Sequence, residues 1–171
     1  MFEGEHLELL DGCLIVGEPQ YSPHASTVAQ VGHVLETAFG PGWHARLHSP
    51  IVLDDVSEPE PDVAIVRGRP LDYFNEHPRD AALIVEVAVS SLRLDRRFKA
   101  GLYARAGLAE YWIVNLVDVV VDVHRDPQAV ADAEYGARYR SVRRLDRTAT
   151  ISPLSAPYAS IAVADLLPAV S

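Results

Sequence analysis

Residues 82–89 read Ala-Leu-Ile-Val-Glu-Val-Ala-Val, and this run constrains the chain more than any other. Apolar residues fill it without alternation, which marks a strand covered on both faces, so the sheet needs a helical layer on each side. The flanking sequence supplies those helices. Ser22-Pro23 opens one, with Val28, Val31, Leu35 and Ala38 on one face and Gly40 as its stop. Ser90-Ser91 can cap a second, running to Ala106 and ended by Gly107. Leu94, Phe98 and Leu102 are its expected buried stripe, with Asp95, Lys99 and Tyr103 as an i, i+4 row beside it.

The remaining strands follow from alternation and turn signals. Residues 7–10 and 13–16 form a hairpin around Asp11-Gly12. Extended segments are expected at 43–53, 62–66, 110–115, 117–124 and 135–144, with a short helix near 163–167. Trp43, Phe98, Tyr111, Trp112 and Cys13 read as core. This order predicts an α/β fold, a mixed β-sheet flanked by helices with an N-terminal β-hairpin. Residues 1–171 are expected to form a single domain, because no repeat or linker divides them.

Charge narrows the function classes. The net charge is −9, yet residues 1–90 carry 4 arginines against 15 acids, whereas residues 91–171 carry 11 cations against 9 acids. A strongly acidic chain is a poor generic nucleic-acid binder, although a local cationic face can survive in the second half. Of the 15 cationic residues, 14 are arginine and Lys99 is the lone lysine. A site that needs a compact ammonium cannot accept the planar guanidinium in its place. A single cysteine, Cys13, excludes an internal disulfide and fits a reducing compartment. The first five residues are acidic where a signal peptide would be basic, and no apolar run approaches a membrane span. The expectation is a cytoplasmic protein without membrane association.

Glu86 interrupts the apolar run. An isolated buried carboxylate is costly, so it must be protonated, paired or bound to a cation. An arginine partner or a wet strand end would satisfy it with no function attached. Asp62 opens the preceding strand behind Pro61, where an aspartate commonly serves as a strand-end cap. Two adjacent strands carrying one acid each can bring the pair together, and the acids then repel unless a cation sits between them. Donors that are all oxygen favour Mg²⁺ or Mn²⁺. Lys99 lies about two turns into the helix that follows the Glu86 strand. Such a helix packs back over the sheet, so its flank can aim an ammonium at the acids. The alternative for a helical lysine is a solvated face. His44 and His48 share a strand face, but two histidines without a third ligand make a poor zinc site.

The ordered set Leu-Glu-Leu-Leu-Asp-Gly (7–12), Ser-Pro-His (22–24), Glu-Pro-Asp-Val (60–63), Ile-Val-Glu-Val (84–87), Asp95, Lys99, Tyr103 and Ala-Gly-Leu-Ala-Glu-Tyr-Trp (106–112) resembles the Uma-two family. The resemblance implies a bacterial endonuclease with the restriction-endonuclease-like fold, and with it a variant of the PD-(D/E)XK nuclease core, with Pro61-Asp62 as the PD and Glu86 as the second acid. The lysine expected two residues later is absent, since position 88 is alanine, and Lys99 matches a helix lysine that takes its place. Glu8 and His24 match further family positions and join the implied catalytic set. Without the resemblance, Glu8 is an exposed strand residue and His24 a helix-start cap. One departure lies at Ala88-Val-Ser-Ser-Leu92, where the family usually shows Leu-Ser-Pro-Ser-Thr; it bears on how the helix begins.

The implied activity is Mg²⁺-dependent (or Mn²⁺-dependent) hydrolysis of DNA phosphodiester bonds. Asp62 and Glu86 would hold the metal, with the Val87 carbonyl as a further oxygen, and Lys99 would orient or deprotonate the attacking water or neutralise charge on the phosphate. On that reading the arginines around Lys99 (93, 96, 97, 105) and those at 138–147 are expected phosphate contacts; otherwise they are solvated faces. A catalytically inactive nuclease-fold binding or regulatory module is the alternative, favoured by the acidic charge. A hydrolase of small phosphoesters is a third. A homodimer is expected, with the apolar strand at 117–123 as its contact.

Overall fold

The register between two strands fixes where the acids meet. The computed structural model describes residues 7–17 and 21–169. Six strands form one sheet in the order β3-β4-β5-β6-β7-β8: β3 (Trp43–Leu47), β4 (Val63–Arg67), β5 (Leu83–Ala88), β6 (Glu110–Asn115), β7 (Val120–Ala129) and β8 (Ala137–Leu145). Neighbours are antiparallel except β5 and β6, which run parallel because a helical crossover joins them. The hairpin of β1 (Leu7–Leu10) and β2 (Cys13–Val16) stands as a separate two-stranded sheet. Its turn places Asp11 at φ 51° and Gly12 at φ 77°, the left-handed pair that a two-residue hairpin needs. The two short strands β9 (Thr150–Ile151) and β10 (Ile161–Ala162) and a 3₁₀ turn at Val163–Leu166 close the C-terminal side.

Strand β5 is buried at every position, as its apolar run requires. Its odd residues, Leu83, Val85 and Val87, share a core with Val28, Val31 and Leu35 of α1 (Ser22–Phe39). Its even residues Ile84 and Ala88 share the opposite core with Tyr103, Ala104 and Tyr111. Each such side chain contributes roughly 1.5–3 kcal/mol by leaving water, so β5 is clamped from both sides. Glu86 belongs to the even set and therefore faces the crossover helix. That helix consists of α2 (Leu92–Leu94), a π-helical turn (Asp95–Lys99) and α3 (Ala100–Arg105).

Several expectations are corrected by the structure. The extended segment at 43–53 stops at Leu47, because His48 takes a left-handed backbone at φ 43°. The strand expected at 117–124 begins at Val120 and is paired on both edges, so it is not the free dimer contact suggested by its apolarity. The C-terminal helix is a single 3₁₀ turn. Cys13 is exposed rather than core, because β2 turns only Ile15 partly inward. On the crossover helix, Asp95, Lys99 and Tyr103 are buried together with Leu102 of the expected stripe, whereas Leu94 and Phe98 are only half-buried. The π turn adds a residue to the helical circuit, which turns Leu94 and Phe98 partly away while Leu102 beyond it stays in the core. Ser91 makes no side-chain cap; its hydroxyl donates to Asp95 Oδ2 at 2.6 Å instead. No helix among the described residues is long and apolar enough to cross a membrane. The acidic residues 1–5 lie outside the described residues.

Candidate active site

Antiparallel pairing sets Val63 against Val85 and Ala64 against Ile84, so the same register carries Asp62 opposite Glu86 at the open end of β4 and β5. The backbone N–H of Asp62 donates to Glu86 Oε2 at 3.3 Å. The backbone N–H of Val87 donates to Asp62 Oδ2 at 2.7 Å, which turns that carboxylate toward β5. Two histidines complete its surroundings: His24 Nε2 lies 3.1 Å from Asp62 Oδ2, and His48 Nδ1 lies 3.3 Å from Oδ1. His24 comes from the first turn of α1, and the left-handed backbone at His48 swings that ring out of β3 toward the aspartate. The two rings stack with centroids 6.2 Å apart.

Lys99 enters from above. Its Nζ donates to Glu86 Oε1 and to Glu8 Oε1, each at 3.0 Å, and the Tyr103 hydroxyl donates to Glu86 Oε1 at 2.9 Å. Glu8 is delivered by β1, and its Oε1 also accepts the backbone N–H of Glu60 at 2.8 Å. The hairpin is thereby tied to the sheet through the site itself. The contrast with Glu110 is instructive. That carboxylate is equally buried, but it is met by the Arg125 guanidinium, the Trp112 indole N–H and the Leu154 amide. Glu110 is the structurally satisfied acid that Glu86 might have been, and Glu86 has no arginine partner among the described residues.

Four buried carboxylates, Glu8, Asp62, Glu86 and Asp95, thus surround one buried ammonium, Lys99. Burial acts on Asp62, Glu86, Asp95 and Lys99, and their neighbours decide the outcome. Burial would raise the Asp62 carboxyl, but hydrogen bonds from His24 and His48 hold it well below the usual range. Its bond to Asp62 outweighs burial at His24 and raises that imidazole. Burial pushes Glu86 well above the usual range; the Lys99 charge opposes this and the charges of Asp62, Asp95 and Glu8 reinforce it. Asp95 is pushed up to about 6 by burial, against the Lys99 charge and the Ser91 hydrogen bond. Burial works to lower Lys99, yet Glu86 and Glu8 outweigh it and raise the ammonium above the ordinary lysine value. The cluster is short of positive charge.

All five residues expected from the sequence, Asp62, Glu86, Lys99, Glu8 and His24, line one cleft of about 540 Å³. Asp62 and Glu86 could hold a hard divalent ion. Among the described residues no set of three or more His, Cys, Asp or Glu is placed to enclose a metal ion. Mg²⁺ needs no such enclosure, since it keeps several waters on one or two carboxylates. His44 turns to Glu36, 3.5 Å away, and does not join His48. The arginines beside Lys99 do not face the cleft: Arg96 pairs with Asp122 at 2.6 Å, Arg97 with Glu134 at 3.0 Å and Arg105 with Asp11 at 2.8 Å. Three further members, His48, Tyr103 and Asp95, were not singled out as site residues by the sequence. The i, i+4 spacing of Asp95 and Tyr103 about Lys99 was the available signal for two of them. For His48 there was none, because an alternating pattern cannot show a left-handed residue.

Comparison with known proteins bears on the family and the fold. The family model Uma2, described as "Putative restriction endonuclease", matches residues 1–164. A solved structure described as a putative nuclease belonging to DUF820, from Anabaena variabilis ATCC 29413, superposes with a TM-score of 0.70. That likeness covers 94% of this chain and 88% of the other at 14% sequence identity, and so speaks for the fold. No curated protein matches the chain.

Proposed function

The chain belongs to the Uma2 family of restriction-endonuclease-like proteins, and from that premise we propose that it is a divalent-metal-dependent endonuclease that hydrolyses DNA phosphodiester bonds. The observation that carries this reading is the charge deficit: four buried carboxylates around one ammonium, with Asp62 and Glu86 facing across adjacent strands. Asp62 and Glu86 would hold Mg²⁺ or Mn²⁺, with the Val87 carbonyl as a further oxygen. When bound, such an ion supplies Lewis acidity toward the scissile phosphate and acidity to a coordinated water.

The protein's own groups have separable roles. Lys99, raised by Glu86 and Glu8 in the metal-free site, would serve as a positive charge for the phosphate oxygens. Glu8 and Tyr103 fix the Lys99–Glu86 pair, and His24 and His48 orient Asp62. The inactive binding module remains the competing outcome of the test.

Thermal melting with Mn²⁺ and cleavage of labelled DNA in Mg²⁺ or Mn²⁺ decide between them. Wild type should be stabilised by Mn²⁺ and should cut DNA only with metal. The near-isosteric Glu86→Gln should lose both responses while keeping its metal-free melting point or exceeding it. Absence of any Mn²⁺ stabilisation and of any cleavage by wild type would leave only the binding module.

A further inference from the structure

Besides its acids, the cleft is walled by apolar side chains: Ile15 and Val16 of the hairpin, Tyr21 ahead of α1, Val89 after β5 and Leu94 of α2. Tyr21 is 73% exposed, and Val16 and Val89 are each 49% exposed, so these side chains are open at the mouth rather than filling a core. Each also sits close in sequence to the chemistry. Tyr21 precedes His24 by one helical turn, Val89 follows Glu86 by three residues, and Leu94 adjoins Asp95.

Scarce cations weaken any grip on phosphates, and more so for a duplex than for a single strand. Affinity for double-stranded DNA comes chiefly from rows of cations neutralising phosphates. Five acids line this cleft, and Lys99 is its one permanent cation among the described residues. None of the chain's 14 arginines lines it, and of those beside Lys99, Arg96, Arg97 and Arg105 are engaged by Asp122, Glu134, Asp11 and Asp54. Binding energy must therefore come from elsewhere. An exposed aromatic ring in an apolar wall offers it to a nucleobase, where one stacked base contributes about 1–3 kcal/mol whatever its identity. In an intact duplex the bases are stacked inside and cannot reach such a wall.

We infer that the substrate is DNA with an unpaired stretch, and that Tyr21 is the specificity-determining residue, stacking one extruded or single-stranded base against the Val16–Leu94 wall while the adjoining phosphate lies at Asp62 and Glu86. The inference rests on the nuclease reading above and narrows its substrate. Kinetics in Mn²⁺ on a single-stranded oligonucleotide, its blunt duplex and the same duplex with a single-stranded gap provide the test. The single strand and the gapped duplex should be cut with kcat/KM about tenfold or more above the blunt duplex, as the loss of one stacked base implies. Tyr21→Ala should erase that preference by raising KM rather than lowering kcat, and Tyr21→Trp should restore it; the exposure of Tyr21 leaves the fold unaffected. Equal cutting of strand and duplex with the metal requirement intact, or identical behaviour of the alanine and tryptophan variants, overturns the stacking role and leaves the nuclease reading standing. Failure of wild type to cut any of the three overturns both.

Discussion

Lys99 sits where an arginine would not serve. Its three-proton ammonium reaches Glu8 and Glu86 from one point at 3.0 Å each, whereas a guanidinium is planar and wider. Removing it leaves two carboxylates buried without their common partner. Lys99→Ala should lose about 3–5 kcal/mol in urea unfolding in metal-free buffer, and adding Glu8→Gln should recover part of that loss. A loss within ~1 kcal/mol would mean that Glu8 and Glu86 are not held by this charge. At this scale the sequence was legible wherever a residue broke a local rule. Glu86 stood inside an apolar run and Lys99 among arginines, so each could be found by its misfit. Glu8 and His24 came only with the family resemblance. Tyr103 broke no rule: a tyrosine on a helix flank looks the same whether its hydroxyl meets a carboxylate or water.

The crossover helix shows what patterning misses. Its start after Ser91 and its end before Gly107 agree with the sequence, but the π turn at Asp95–Lys99 does not show in any hydrophobic period. Single π turns are frequent at functional sites, and this one carries Lys99 itself. Gly101, two residues on, sets how closely α3 approaches the β7–β8 connection. A Cβ there would lie 2.5 Å from Tyr135 Cδ2 and 3.0 Å from Tyr135 Cβ, too close for either to stay. In an open helix glycine-to-alanine gains about 1 kcal/mol. Here the clash should reverse the sign, so Gly101→Ala should lower the thermal midpoint. In a Tyr135→Ala background the same change should raise it. If the substitution stabilises the protein in both backgrounds, Tyr135 does not fix the seat of the helix.

On the scale of the whole molecule, the sheet divides two cores, and the one beneath the crossover helix is aromatic and partly polar. His124 lies in it beside Tyr111 and Tyr139, 6% exposed, its Nε2 without a hydrogen-bond partner. Burial lowers its imidazole from 6.5 to about 4, ahead of the opposing effect of Asp122. The unfolded chain therefore takes up a proton below pH 6.5 that the folded chain refuses until about pH 4. Stability should rise with pH across that window and level off above it. At 1.36 kcal/mol per unit the contribution is on the order of 3 kcal/mol, and His124→Phe should flatten this part of the profile. An unchanged slope in that variant would assign the acid sensitivity to other groups. The mixed sheet and its helical layers were legible because β5 demanded cover on both faces; the strand order and the extent of β7 and β8 were not, because turn residues leave pairing and register open.

The acids and the ammonium ride on different bodies. Asp62 and Glu86 are anchored in the sheet, whereas Lys99 travels with a helix held by the Arg96–Asp122 clamp and the Tyr135 abutment. In a nuclease core whose lysine sits on the strand, all three are rigidly geared together. Here they sit on separate elements joined through the Lys99–Glu86 and Tyr103–Glu86 contacts, so a change at Asp122 or Tyr135 would shift the charge and tug on the carboxylate it holds.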